Sequence, residues 1–227
     1  MKKFLILLII MLSFAHAFGL EISLMHEGKE QKHIDEIAFR ILNANKIEKR
    51  MNFFYQGERK IANSWTSISD RQITITRGIL AYIDNDDEMA ALLSHEIAHA
   101  VESYNGIFRG YFHFLKSLFI PKRFEINADK KAVDYMVKAG YNPVAMIILL
   151  NKISGQARYD WYLAHPLTSK RMMIIYEYIY KKYPAYLINN KYMDNIYYQN
   201  FLLTSQTNRQ KLKQAIEIND KRKIKYE

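Results

Sequence analysis

Between residues 31 and 49 the apolar side chains Ile34, Ile37, Ala38, Ile41 and Leu42 recur three and four positions apart, which predicts an amphipathic helix. From about 51 to 76 the period shortens. NFFYQ, NSWTSIS and QITIT are rich in aromatic and β-branched residues and are separated by Gly57 and Asp70, so they read as short strands. QITIT alternates apolar and polar as a half-buried or edge strand does, and would offer an extended peptide a natural edge to pair with. Gly78 then breaks the pattern and helical periods return.

The stretch IDNDDEMAALLSHEIAHAVES opens with a helix start signal. Asn85 can cap, Glu88 three residues later completes a capping-box-like arrangement, and Asp86 and Asp87 put negative charge at the positive end of the helix dipole. Met89, Leu92, Leu93, Ile97, Ala98, Ala100 and Val101 make this helix apolar nearly all round, which predicts burial. Residues 107–120 are also apolar, but Arg109 and Lys116 interrupt them and the run is too short to span a bilayer; a buried connector is expected. Another helix runs from about 122 to a stop at Gly140, and Asn142-Pro143 starts the next. Beyond the loop ARYDWYLAHPLTS, the Tyr-rich RMMIIYEYIYKKY forms a helix ended by Pro184. Residues 185–227 are a polar, basic tail with weak helical periodicity.

Short strands followed by helices make the expected fold class α+β, mainly helical, with a small antiparallel or mixed strand region. The 227 residues suffice for one main domain, and 49% hydrophobic with 25% charged residues is a globular composition. The first residues change the picture: two lysines, an apolar run of about a dozen residues, and Ala15-His16-Ala17 form the pattern of a secretory signal peptide. The expected organisation is therefore a signal at 1–17, a main domain at 18–184 and the tail at 185–227, in an exported, periplasmic protein. The chain has no cysteine, so any metal is held by His, Asp or Glu. The formal net charge of +10 falls to +8 without Lys2 and Lys3. Such a surface favours peripheral contact with an anionic membrane over nucleic acid, for which no binding motif is present.

The candidate chemistry lies in SHEIAHAVES. Helical residues are about 100° apart, so His95 and His99 project about 40° apart on one face, and both imidazoles can reach one ion with Glu96 beside it. This is the pattern of zinc peptidases, in which two histidines bind the metal and the carboxylate between them acts on water. A catalytic site needs a third protein ligand. Glu102 and Asn105 stand where HExxHxxGxxH would place Gly and His, which removes the metzincin arrangement. Glu125 in FEINADKKAVDY is a candidate ligand, and Asp129, four residues on, can accept a hydrogen bond from a ligating histidine. Glu102 and His113 are the chief alternative ligands.

HEIAH, then ExxAD some 25 residues later, then HPLTSKR, resembles the HtpX/BepA/CAAX-prenyl-protease family of gluzincin zinc metalloendopeptidases (metallopeptidase family forty-eight). The resemblance covers about residues 60–175. It implies a zincin-like fold and one Zn2+ per chain held by His95, His99 and Glu125. It further implies Glu96 as general base, Asp129 as its ligands' hydrogen-bond partner, and His165 and Arg171 as further catalytic residues near the metal. A donor such as His165 aimed at a developing oxyanion would stabilise the transition state, and Arg171 could pair with a carboxylate. The implied substrates are polypeptides, namely unfolded or misassembled envelope proteins. The alternative from another class is a noncatalytic, zinc-holding chaperone or interaction protein of the periplasm.

Overall fold

The computed structural model describes residues 28–67, 71–103, 121–154, 168–220 and 224–226. The signal at 1–17, the connector 107–120, His113 and His165 lie outside the described residues. Helix α1 (Lys29–Ala44) buries Ile34, Ile37, Ala38, Ile41 and Leu42, the stripe its periodicity predicts. Three strands follow, β1 (Asn52–Gln56), β2 (Ser64–Thr66) and β3 (Gln72–Thr76), joined in the order β1-β3-β2. The sheet is mixed: β1 runs parallel to β3, and β2 antiparallel to it.

QITIT is thus the central strand, paired on both sides, and not the edge its alternation implies. The threonines explain the difference. Thr74 and Thr76 are fully buried, and the Thr76 hydroxyl lies 2.6 Å from the Ile61 carbonyl and 2.8 Å from that of Asn63. A satisfied hydroxyl makes threonine as acceptable inside a sheet as valine.

The outer edge of β1 is closed by a side chain. Gln31, fully buried in α1, donates to the Phe53 carbonyl (3.0 Å) and accepts from the Tyr55 N–H (2.7 Å), as a neighbouring strand would. The outer edge of β2 has no such cover among the described residues. The turn α2 (Arg77–Leu80) fixes how β2 is approached. At Gly78 a Cβ would meet the Lys60 carbonyl oxygen at 2.2 Å, so only glycine lets the 59–62 segment leading into β2 lie against this turn.

Helix α3 (Asp86–Ser103) runs through the centre of the molecule, packed by α1, the sheet, α4 (Pro121–Lys138) and α5 (Ala145–Ser154). Its start is fixed as the sequence predicts. Asn85 Oδ1 accepts from the Glu88 N–H (3.1 Å), and Glu88 reaches back to the Asp84 N–H (3.0 Å). Glu88 is fully buried, and Lys152 of α5 supplies its counter-charge at 2.7 Å while also holding Asp84 at 2.6 Å. The residue before Glu88, Asp87, accepts from the Asn142 N–H (3.0 Å) and the Tyr192 hydroxyl (2.6 Å).

Gly140 ends the turn after α4 with φ 78°, and Asn142 caps the following turn by accepting from the Val144 N–H (3.0 Å). An L side chain in this left-handed conformation costs about 1–2 kcal/mol. Gly140→Ala is therefore expected to lower stability by that amount in urea denaturation, with no change in metal binding. Helix α6 (Thr168–Lys182) packs on α4 and α5. Within 185–227 lie α7 (Ala185–Ile188), α8 (Ile196–Thr204) and α9 (Gln206–Glu217). Tyr198 and Phe201 of α8 are buried against α5 and α6, and Leu212 of α9 is buried beside α6. Among the described residues no helix is long and apolar enough to cross a membrane.

Candidate metal centre

The site forms where α3 and α4, the most extensively packed pair of helices, face each other with the start of α6 beside them. His95 and His99 stand one turn apart on α3, Glu125 and Asp129 one turn apart on α4, and Arg171 reaches in from α6. All but His99 are buried, and His99 keeps about a fifth of its side chain exposed. The open side of the cluster is thus at His99.

The two imidazoles turn their Nε2 atoms toward each other, 3.1 Å apart. Glu125 closes the triangle, with Oε2 3.4 Å from His95 Nε2 and Oε1 3.2 Å from His99 Nε2. Atoms held about 2.0–2.1 Å from one tetrahedral zinc stand about 3.3–3.4 Å apart, so the spacing suits a shared ion. One donor atom from each residue lies within 4.8 Å of the others, and these three form the metal-ligand cluster found among the described residues. Glu102, an alternative ligand on sequence grounds, instead pairs with Lys131 at 2.6 Å.

Behind the triad the charges are layered. His95 Nδ1 lies 3.0 Å from Asp129 Oδ1, which orients the ring so that Nε2 faces the cluster. Arg171 clamps Asp129 from the other side, donating from Nε to Oδ2 and from Nη2 to Oδ1, each at 2.7 Å, while its Nη1 lies 3.1 Å from Glu125 Oε2. Burial works against charge at His95, but Asp129 and Glu125 outweigh it and push the imidazole up to about 10. Binding a metal therefore displaces a proton from this ring, and metal affinity falls as pH falls. Burial likewise opposes ionisation of Asp129, but Arg171, with His95, holds its carboxyl below the usual range. Asp129→Asn keeps the shape and removes this charge. Zinc affinity is expected to fall about 10–100-fold, the usual effect of losing a ligand's hydrogen-bond partner, as measured by competition with a chromophoric chelator.

Glu96 projects from the same helix toward β2. Its carboxylate accepts from Ser64 Oγ at 2.7 Å on Oε1 and from Thr66 Oγ1 at 2.8 Å on Oε2. These two hydroxyls are the functional contacts that the sequence motifs do not reveal. Their i, i+2 spacing in NSWTSIS places them on one face of a strand, yet nothing in the sequence says that this face looks at the motif helix. Beside Glu96 and His95 a small apolar cavity of about 20 Å³ is walled by Leu92, Met146, Leu149, Leu150 and Ile153, with Arg171 at its margin.

A sequence model of peptidase family M48 matches residues 28–107. The match takes in α1, the sheet and α3, whereas Glu125, Asp129 and Arg171 lie beyond it and enter the site through the packing of α4 and α6. No curated protein matches the chain. The family match and the His95/His99/Glu125 triad support a zinc-dependent peptidase active site.

Proposed function

We propose that the chain is a zinc-dependent endopeptidase of the cell envelope that cleaves unfolded or misassembled polypeptides. The observation that carries this reading is the convergence of His95, His99 and Glu125 with the Glu96 carboxylate alongside, next to the outer edge of β2, which no strand among the described residues pairs with. Zinc, when bound, supplies Lewis acidity: it polarises a peptide carbonyl and lowers the pKa of water toward 7.

The chain's own residues do the rest. His95, His99 and Glu125 hold the metal, and Asp129 and Arg171 keep His95 in the ligating orientation. Glu96 takes the proton of the attacking water on a carboxylate oxygen and passes it to the leaving amine. The edge of β2 takes an extended segment of substrate, since β1 is closed by Gln31 and β3 is central. An unfolded chain can supply such a segment anywhere along its length, which favours internal cleavage. In this reading His165, six residues before Arg171 in HPLTSKR, supplies a donor for the oxyanion. The leader-like start of the sequence supports export to the periplasm, and its basic charge supports peripheral contact with anionic lipid.

The test uses the zinc-loaded mature chain and an unfolded protein such as casein. Internal cleavage is expected, lost on chelation and restored by zinc, while His99→Ala neither retains stoichiometric zinc nor cuts. A zinc-loaded chain that leaves unfolded protein intact would overturn the peptidase reading. Recovery in the membrane fraction after a carbonate wash would overturn the exported, peripheral one.

A further inference from the structure

We propose that Ser64 and Thr66 are positioning residues for Glu96, and that through them the strand that receives the peptide also sets the base; this rests on the peptidase reading above. Three short contacts from two hydroxyls carry it. Ser64 donates to Glu96 Oε1 at 2.7 Å, and Thr66 lies 2.8 Å from Oε2 and 3.1 Å from the Glu96 backbone carbonyl. One carboxylate oxygen is held by each hydroxyl, so both the plane and the tilt of the group are fixed. A carboxylate has about four lone-pair positions, and a clamp of two donors leaves it room to accept a proton.

The backbone of the same two residues faces elsewhere. The Ser67 N–H donates to the Gln72 carbonyl, and the Thr76 N–H to the Asn63 carbonyl, so residues 63 and 67 turn their backbone groups toward β3. Alternation along an antiparallel strand then turns the backbone groups of Ser64 and Thr66 away from β3, to the outer edge. The residues whose hydroxyls hold the base therefore offer the N–H and C=O groups with which an added strand would pair. Trp65 points to the opposite face, where Arg59 lies 5.2 Å from its ring centroid. Register of the peptide and orientation of the base become properties of one rigid element. A misplacement of about 1 Å between reacting groups costs on the order of 100-fold in rate, so such coupling matters to turnover.

The experiment compares zinc-loaded Ser64→Ala/Thr66→Val, Thr66→Val and Thr66→Ser with wild type. Valine keeps the shape of threonine without its hydroxyl; serine keeps the hydroxyl and loses the methyl. Positioning predicts that kcat of the double variant falls about 100-fold with KM and zinc content little changed. Thr66→Val shows part of that loss, and Thr66→Ser recovers most of it. In crystals of the zinc-loaded double variant the Glu96 carboxylate is expected to leave its place beside β2. Thr66→Val turning over like wild type, with Glu96 unmoved in the double variant, would overturn the proposal, as would greater damage from Thr66→Ser than from Thr66→Val. Should wild type itself fail to cut, the peptidase reading falls, and the position of Glu96 in the crystals alone decides whether the clamp exists.

Discussion

Glu96→Gln is expected to lower kcat on unfolded protein by about 10²–10⁴-fold, the range spanned by general acid–base catalysis, with the zinc retained. The substitution preserves shape and takes away only the ability to accept a proton. Metal content should survive, because the cluster that could hold the ion is His95, His99 and Glu125, and Glu96 bonds to β2 instead. One local cost follows from the geometry. The amide oxygen can still accept from one hydroxyl, but the amide nitrogen cannot accept from the other, which must turn to become an acceptor. Zinc analysis by atomic absorption beside a cleavage assay separates the outcomes. A variant that holds zinc and does not cut identifies Glu96 as the base. Equal cutting by both proteins would remove it from that role. Zinc bound by both and cutting by neither would favour a binding protein over an enzyme.

The sequence made the centre of this molecule legible because its signals are local. HEIAH sits in a helix whose cap, Asn85 with Glu88, and whose apolar surround are encoded within twenty residues, and the structure places that helix and its cap as expected. The spacing of Glu125 and Asp129 fixes them on one face of α4, and α4 then packs that face on His95 and His99. Relations between segments were harder to read. QITIT alternates like an edge strand, yet its threonines are satisfied internally and the strand is central. Lys152 reads as a polar position on an apolar helix, but its partners Glu88 and Asp84 lie more than sixty residues earlier. In the weakly periodic tail, Tyr198 and Phe201, three residues apart, bury one face of a short helix whose other side exposes Ile196 and Leu203. Exposed apolar residues at both ends of that helix blur its period.

Arg171→Met is expected to destabilise the zinc-free chain by about 3 kcal/mol at neutral pH, the low end of the roughly 3–5 kcal/mol for removing one partner of a buried pair. The low end applies because His95, 3.0 Å from Asp129, remains beside the carboxylate. The pH dependence gives the prediction its sign. In wild type the Asp129 carboxyl is held below its ordinary 3.8, since Arg171 outweighs the burial that opposes its charge. Its contribution to stability is therefore present above about pH 3.8 and is lost as pH falls through the depressed folded value. Without the guanidinium, burial favours the neutral acid, so in the variant protonation relieves the strain. The gap between wild type and Arg171→Met in urea denaturation should thus be largest at neutral pH and shrink toward pH 4. A second variant, Arg171→Met/Asp129→Leu, removes both charges and should regain most of the lost stability. It should not regain zinc affinity, because His95 would still lack the carboxylate that orients its ring. A gap that does not change with pH would mean that Arg171 acts through packing rather than through its charge on Asp129.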